Sequence, residues 1–394
     1  APAAIAAAPR KVKASYEFAV QTHASLGPSC AVADYKNGKL VVWSASQATH
    51  SMQTELAGIT GVKAEDIRVL YLDGSGCYGR NGHEDASADA ALISVLIGQP
   101  VRVQWMRADE TARAPKSPPR AIDMEAGFDA NGKLVAWSGD FHIALNHIVA
   151  FKPLDFPLLA ATDLGQPKPG NWVGFLFQNS AAPYALPNLR VNTRHIEKAF
   201  FRSAHLRSPG RIENSFANES FMDELAAEAK VDPAEFRLQH LSDPRAVAVI
   251  RAAMKRAGWQ TRAGIHPDAL KSTISRGRGI SYVRYNNATT YVAAIAEVEV
   301  NRDTGEVRVT RVCVSHDCGQ IVNPDGLANQ IEGGVIQTVS RTLMEQVNWD
   351  RTKVTSVDWG SYPILRFPDA PKVEVDMINR PGEVAWGAGE PTPT

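Results

Sequence analysis

The sequence has no excess of charge of either sign: Lys plus Arg and Asp plus Glu number 42 each, and neither sign forms a long block. That balance argues against a nucleic-acid or anionic-membrane partner, which a basic face would announce. No run of ~18 uninterrupted apolar residues occurs, so no segment reads as a membrane-spanning helix. Cysteine is scarce as well. Cys30, Cys77, Cys313 and Cys318, four in 394 residues, do not make a disulfide scaffold. Cys313 and Cys318 have the spacing that opens a plant-type iron–sulfur motif, but Ile321 stands where the third cysteine should fall, and all four read as ordinary thiols. The first nine residues lack the charged start and the apolar length of a secretion leader. Residues 1–14 read as an Ala/Pro linker or a fragment boundary, which leaves the compartment open.

Glycine, by contrast, is concentrated where it carries meaning. Gly74, Gly76, Gly79 and Gly82 fall between the strand-like run Ile67 to Leu72 and an alanine-rich helix beginning near Glu84 or Asp85. Such a loop can take positive φ and let backbone N–H groups approach a ligand, while the helix start adds the positive end of its dipole; a phosphate or pyrophosphate suits it. A tight strand-to-helix turn with no ligand explains the same residues. No Lys-Ser/Thr pair follows the glycines, so the loop is not a P-loop. Gly74-x-Gly76-x-x-Gly79 has the bare dinucleotide pattern without a convincing βαβ unit and its acid about 20 residues on.

Three hairpins are predicted, at 33–43, 127–137 and 296–310, each with Asn-Gly or Asp-Thr-Gly between β-rich runs. Apolar spacing and end signals place helices at 46–60, 84–98, 216–230, 233–241, 245–257 and 324–346. A Pro- and Gly-rich passage from Pro153 to Trp172 and a polar break from Gly258 to Arg278 divide the chain. The expected segments are 15–150, a middle helical segment 151–260, and 261–394. The fold class is α+β, with mixed sheets, antiparallel ribbons and packed helices; strands and helices alternate too irregularly for a Rossmann fold or a barrel.

Four segments then matter together: Ser44-Ala-Ser-Gln47 before a helix, the 74–85 loop, Leu206-Arg-Ser-Pro-Gly-Arg211 before Glu219, and His316-Asp-Cys-Gly-Gln leading to Asn329-Gln-Ile-Glu-Gly333. The chain closes on Gly387-Ala-Gly-Glu-Pro391. In order and spacing these resemble the molybdenum-cofactor subunit of the xanthine dehydrogenase / aldehyde oxidase family. The resemblance is nearest to the branch with nicotinate dehydrogenase, isoquinoline oxidoreductase and bacterial aldehyde dehydrogenase large subunits. It implies a molybdopterin-binding α+β fold of that type. It also implies that Gln47, the Gly76-Cys77-Tyr78-Gly79 loop, Arg207 and Gln330 contact the cofactor, and that Glu390 is the catalytic base. Taken alone, Gln47 is a capping or solvated residue, and Arg207 and Arg211 are partners for Glu213 or Glu219. His316 is structural, because adjacent strand residues point to opposite faces, and Glu84 and Asp85 are first-turn helix charges. Glu390 is the exception, since an acid between Gly389 and Pro391 in an apolar tail is poorly explained as a solvated loop residue.

The chemistry implied by the resemblance is hydroxylation of an electron-poor carbon with oxygen from water, Glu390 acting as a buried base. The cofactor is molybdenum-molybdopterin, in the plain or the cytosine dinucleotide form. Its metal is held by the pterin, so no His/Cys metal cluster is needed here. Two electrons must leave, which implies a [2Fe–2S] small subunit and a cytochrome c or other acceptor beyond it. The family's Gly-Gln-Gly segment is missing, as is the helical tail after Gly-Glu-Pro, which implies an N-terminal half of the large subunit or a split partner. Phe175 falls near the place of the arginine that steers purines, and Pro209 stands where a stacking phenylalanine is found. Both disfavour xanthine and leave an N-heteroaromatic acid such as nicotinate, or a small aldehyde; a non-catalytic assembly role is the rival of a different kind.

Overall fold

A computed structural model describes residues 1–82, 84–144, 158–165, 174–197 and 201–394. The Pro- and Gly-rich passage from Pro153 to Trp172 lies outside the described residues except for 158–165, as does His83 of the glycine loop.

The first fourteen residues are not a linker. Helix α1 (Pro2–Ala7) buries Ile5, and strand β1 (Arg10–Phe18) follows it. The alanines that suggest a linker are also the strongest helix formers, and residues 10–18 alternate between half-buried and exposed positions as an edge strand does. Helix α1 lies on Gly127, where a Cβ would stand 2.7 Å from that of Ala8.

The first predicted hairpin forms as turn chemistry demands. β2 (Cys30–Lys36) and β3 (Lys39–Ser44) pair antiparallel around Asn37 and Gly38, whose φ values of 53° and 82° are those of a primed turn. Helix α2 (Thr49–Thr60), strand β4 (Ile67–Tyr71), helix α3 (Asp85–Ile97) and strand β5 (Val101–Gln104) complete a sheet of order β4-β3-β2-β5, in which only the β3/β4 pairing is parallel. Leu40, Val42, Met52, Leu56, Ala88 and Ala91 fill its core under α2 and α3.

Helix α4 (Arg107–Arg113) leads to the second hairpin, β6 (Arg120–Phe128) and β7 (Leu134–Ala144). After the short α5 (Leu159–Asp163), strand β8 (Leu189–Ile196) joins β7 in parallel, giving the order β1-β6-β7-β8. Helices α6 (Arg211–Ala229), α7 (Pro233–Gln239) and α8 (Pro244–Ala257) come next, α7 and α8 each opening with Pro after a capping aspartate, Asp232 and Asp243.

The third sheet holds β9 (Ile274–Arg284), β10 (Tyr291–Asn301), β11 (Val307–Asp317) and β12 (Lys372–Met377), in the order β12-β11-β10-β9. Strand β10 shows the period-2 rule: Tyr291, Ala293 and Ile295 join the core shared with α6, α7, α8 and the second sheet, whereas Val292 packs on the opposite face with Leu327, Ile331 and Val335 of α9 (Pro324–Leu343). Each sheet therefore mixes antiparallel ribbons with one parallel pair and is covered by helices, an α+β architecture.

Candidate active site

Gln47 sits in the turn from β3 to α2, and its backbone N–H donates to the Asn81 carbonyl at 3.0 Å, which ties this turn to the glycine loop. Its side-chain oxygen accepts a hydrogen bond from the Cys77 thiol at 2.8 Å. Burial holds the Cys77 thiol above its ordinary pKa, so the sulfur keeps the proton it donates. Within the loop Gly76, Tyr78 and Gly79 all have positive φ (122°, 53° and 103°). Gly79 has a specific reason to lack a side chain: a Cβ there would stand 1.9 Å from the His205 carbonyl oxygen. The two segments are joined further by the Arg207 N–H, which donates to the Tyr78 carbonyl at 2.8 Å.

The same loop also corrects an expectation. Gly74 does not take positive φ, and the start of α3 is not left for a phosphate. Asp85, its first residue, is fully buried and ion-paired with Arg80 at 3.2 Å and Arg202 at 2.5 Å, and Glu84 is buried beside it. The protein's own carboxylates meet the positive end of the helix, as first-turn charges should.

Arg207 is spent on three neutral acceptors: the Gly389 carbonyl (2.6 Å), Gln337 Oε1 (3.1 Å) and Gln330 Oε1 (3.0 Å). Gln330 and Gln337 are two turns apart on one face of α9, so this guanidinium links the 206–211 loop, the helix and the segment that carries Glu390. Neither Glu213 nor Glu219 is its partner. Glu213 faces Arg120 at 3.8 Å and Glu219 binds Arg237 at 2.9 Å. Glu390 is not buried: its side chain is 38% exposed, with Arg211 Nη1 4.0 Å from Oε2. The side chain opens on the cavity, although the tail around it is packed: Ala388 lies against the core under α9, and Pro391 and Pro393 are buried.

Gln47, Gly76, Cys77, Tyr78, Gly79, Arg207, Gln330 and Glu390 all line one cavity of about 560 Å³. Phe175 and Arg211, which the sequence does not place in the site, line it as well, together with His205 and Tyr285, which carry no sequence signal of their own. His205 is buried, which lowers its pKa to about 4 and keeps the imidazole neutral, with the Arg211 charge acting in the same direction. The Tyr285 hydroxyl donates to Glu390 Oε2. Burial, reinforced by the carboxylate, raises the Tyr285 pKa and keeps it a donor.

His316 and Asp317 take no part in the cavity lining. His316 is fully buried in β11, with neither ring nitrogen hydrogen-bonded among the described residues, and Asp317 binds Arg245 and Arg380. A second cleft of about 610 Å³ is lined by residues between 260 and 278 and by β10, and its strand charges are paired, as in Arg276–Glu299 and Arg278–Glu297. It offers no convergent group for chemistry.

The cavity fits a large polar cofactor that brings its own metal ligands. Gln47 and Gln330 present exposed side chains whose amide nitrogens have no partner among the described residues, and Gly76 to Gly79 supply backbone at close approach. Among those residues there is no group of three His, Cys, Asp or Glu that could hold a metal ion.

Residues 1–241 and 218–371 each match the molybdopterin cofactor-binding domain. The chain belongs to that family. It falls within the xanthine dehydrogenase / aldehyde oxidase group of molybdopterin-binding chains, as the motif order implies. It is 39% identical over 396 residues to a subunit of the nicotinate dehydrogenase of Pseudomonas putida, covering 98% of this chain and 32% of that protein. It is 30% identical over 359 residues to the beta chain of isoquinoline 1-oxidoreductase of Brevundimonas diminuta, covering 89% and 42%. This molybdopterin-binding chain thus spans about a third to two fifths of the length of these relatives. Among solved structures, quinoline 2-oxidoreductase from Pseudomonas putida 86 superposes with a TM-score of 0.79 at 14% identity, over 99% of this chain and 72% of that one. The aldehyde oxidoreductase from Desulfovibrio gigas gives 0.79 at 16% identity, over 100% and 58%. At these identities the structures show a shared fold.

Proposed function

We propose that this chain carries the cofactor-facing and proton-accepting half of a molybdenum hydroxylase acting on an N-heteroaromatic ring. The observation that supports it is the convergence in one cavity of Gln47, the 76–79 loop, Arg207, Gln330 and Glu390, drawn from positions 47 to 390 of the chain. When bound, the molybdenum pterin supplies two-electron oxidation of a carbon centre with the oxygen taken from water. The protein's tasks are then to hold, orient and deprotonate.

Gln47, Gln330 and the loop backbone hold the cofactor edge, while Arg207 fixes the geometry of the Gln330 side chain and the Gly389 carbonyl beside the base. Glu390 takes the proton. Tyr285 and Arg211 both approach Oε2, so Oε1 is the atom left to act as base. Phe175 and Tyr285 offer ring faces to an aromatic substrate.

Electrons leave through a partner. The four cysteines are free; Cys77 faces the cavity, and Cys313 and Cys318 are buried in the third sheet region, so the chain builds no cluster of its own. The relatives are named as subunits, which supports a [2Fe–2S] partner and an assembled complex with the remaining part of the large subunit. The test is to assemble that complex and offer nicotinate, isoquinoline and acetaldehyde side by side in isotope-labelled water. Label in a hydroxylated ring supports the reading; label only in a carboxylic acid formed from the aldehyde moves the activity to aldehyde oxidation, and no turnover of any of the three overturns it.

A further inference from the structure

Two guanidinium groups and one carboxylate account for the formal charge lining the cavity. Each of the three nitrogens of Arg207 already donates to a neutral oxygen, so none of them is without a partner. Arg211 is held differently. It is the first residue of α6 and is only 4% exposed; its Nε donates to the Asn286 side chain and its Nη1 to the Pro209 carbonyl at 3.0 Å. Its guanidinium carbon lies 4.4 Å from the ring centre of Tyr285 and 5.5 Å from that of Phe175. Among the described residues Nη2 has no hydrogen-bond partner, and Glu390 at 4.0 Å is beyond hydrogen-bond reach.

A guanidinium held beside aromatic rings still binds through its N–H edge, and that edge matches a planar carboxylate. Here the free edge opens on the cavity within reach of the base, so an anion bound there places the rest of its molecule beside Glu390. Phe175 supplies no charge, and of the two cations lining this cavity Arg211 is the one with a nitrogen left without a partner among the described residues.

We propose that Arg211 binds the ring carboxylate of the substrate, so that the site selects a heteroaromatic acid over a neutral ring or an aldehyde. The proposal rests on the hydroxylase reading, but it concerns recognition and can fail separately.

The experiment compares wild type, Arg211→Gln and Arg211→Lys in the assembled, molybdenum-loaded complex. It measures kcat/KM for nicotinate and for nicotinamide, equilibrium binding of benzoate as an unreactive aromatic carboxylate, and molybdenum content. In Arg211→Gln the preference for nicotinate over nicotinamide should fall on the order of 10²-fold, mainly through KM, with a similar weakening of benzoate binding. Arg211→Lys should recover part of both, and molybdenum content should match wild type in each. A preference within a few-fold of wild type overturns the proposal while leaving hydroxylation intact. Loss of molybdenum from both variants also overturns it, by assigning Arg211 to cofactor binding. Benzoate binding that depends on Arg211 in a complex that hydroxylates neither ring keeps the carboxylate site and removes the hydroxylase reading.

Discussion

The Tyr285 hydroxyl donates to Oε2 of Glu390 across a sequence separation of 105 residues. Tyr285 stands at the end of β9 in a turn whose next two residues, Asn286 and Asn287, take left-handed φ of 58° and 54°, a conformation asparagine tolerates better than most residues. Asn179 secures that turn: its side-chain nitrogen donates to the Arg284 carbonyl and to Asn287 Oδ1, each at 3.0 Å, and its oxygen accepts from the Asn286 N–H at 3.0 Å. The hydroxyl that holds the carboxylate is therefore fixed by backbone geometry.

Tyr285→Phe removes the hydrogen bond and little else. We expect turnover to fall about tenfold, the effect of one hydrogen bond to a charged group, with molybdenum content unchanged. Single-turnover kinetics checks this, and a rate equal to wild type would leave Tyr285 only a packing role.

Gly79→Ala should unseat the Arg207 loop. Its Cβ would meet the His205 carbonyl oxygen at 1.9 Å from a backbone with φ of 103°, so the 205–207 segment must move and carry Arg207 with it. The expected result is lower molybdenum content and a lower unfolding midpoint, measured by metal analysis and thermal denaturation. Full occupancy at the wild-type midpoint would contradict this account of how the two loops fit.

Stability should depend on pH through Glu55, a buried residue of α2 whose carboxylate oxygens have no hydrogen-bond partner among the described residues. Burial, with Asp85 adding to it, pushes its pKa from the ordinary 4.5 up to about 9. The folded state then keeps a proton that the unfolded chain releases, so this contribution is fully present below the ordinary value and is lost as pH rises towards 9, at up to about 1.4 kcal/mol per pH unit. Glu55→Gln removes that slope. Its gain in unfolding free energy over wild type should be larger at pH 8 than at pH 5.5, and equal gains would show that Glu55 does not hold its proton.

Asp85→Asn should be among the most damaging substitutions outside the cavity. It strips the charge that two guanidinium groups share in a fully buried position, a change that costs roughly 3–5 kcal/mol because both cations lose a buried carboxylate, although Arg80 keeps Glu110 at 3.0 Å. Denaturant unfolding measures it, and a loss below about 1 kcal/mol would mean that water reaches the site.

Local chemistry made much of this fold legible. Asn37-Gly38 marks its hairpin because few other residues accept two consecutive positive φ values, and the helices at 324–343 and 244–257 follow their apolar spacing and capping residues. Glu390 stands out because nothing local explains it. What could not be read is long-range polar fitting. Helix α6 begins at Arg211 and not at 216 because its first turn is buried by polar contacts: Asn214 donates to the carbonyls of Leu176 and Gln178, and such contacts leave no apolar period. Tyr285, and the place of Arg211 in the cavity, could not be read for the same reason. Their partners, Glu390 and Asn286, are distant in sequence, and neither pattern nor composition links them.

The central claim is that Glu390 is the base, and the most direct measurement is the rate of anaerobic cofactor reduction by substrate in Glu390→Gln, normalised to molybdenum. The substitution keeps shape and hydrogen-bonding capacity while removing basicity. The account predicts a normalised rate lower by roughly 10²–10⁴-fold, the usual contribution of a general base, at unchanged molybdenum content. A normalised rate within a few-fold of wild type would contradict it.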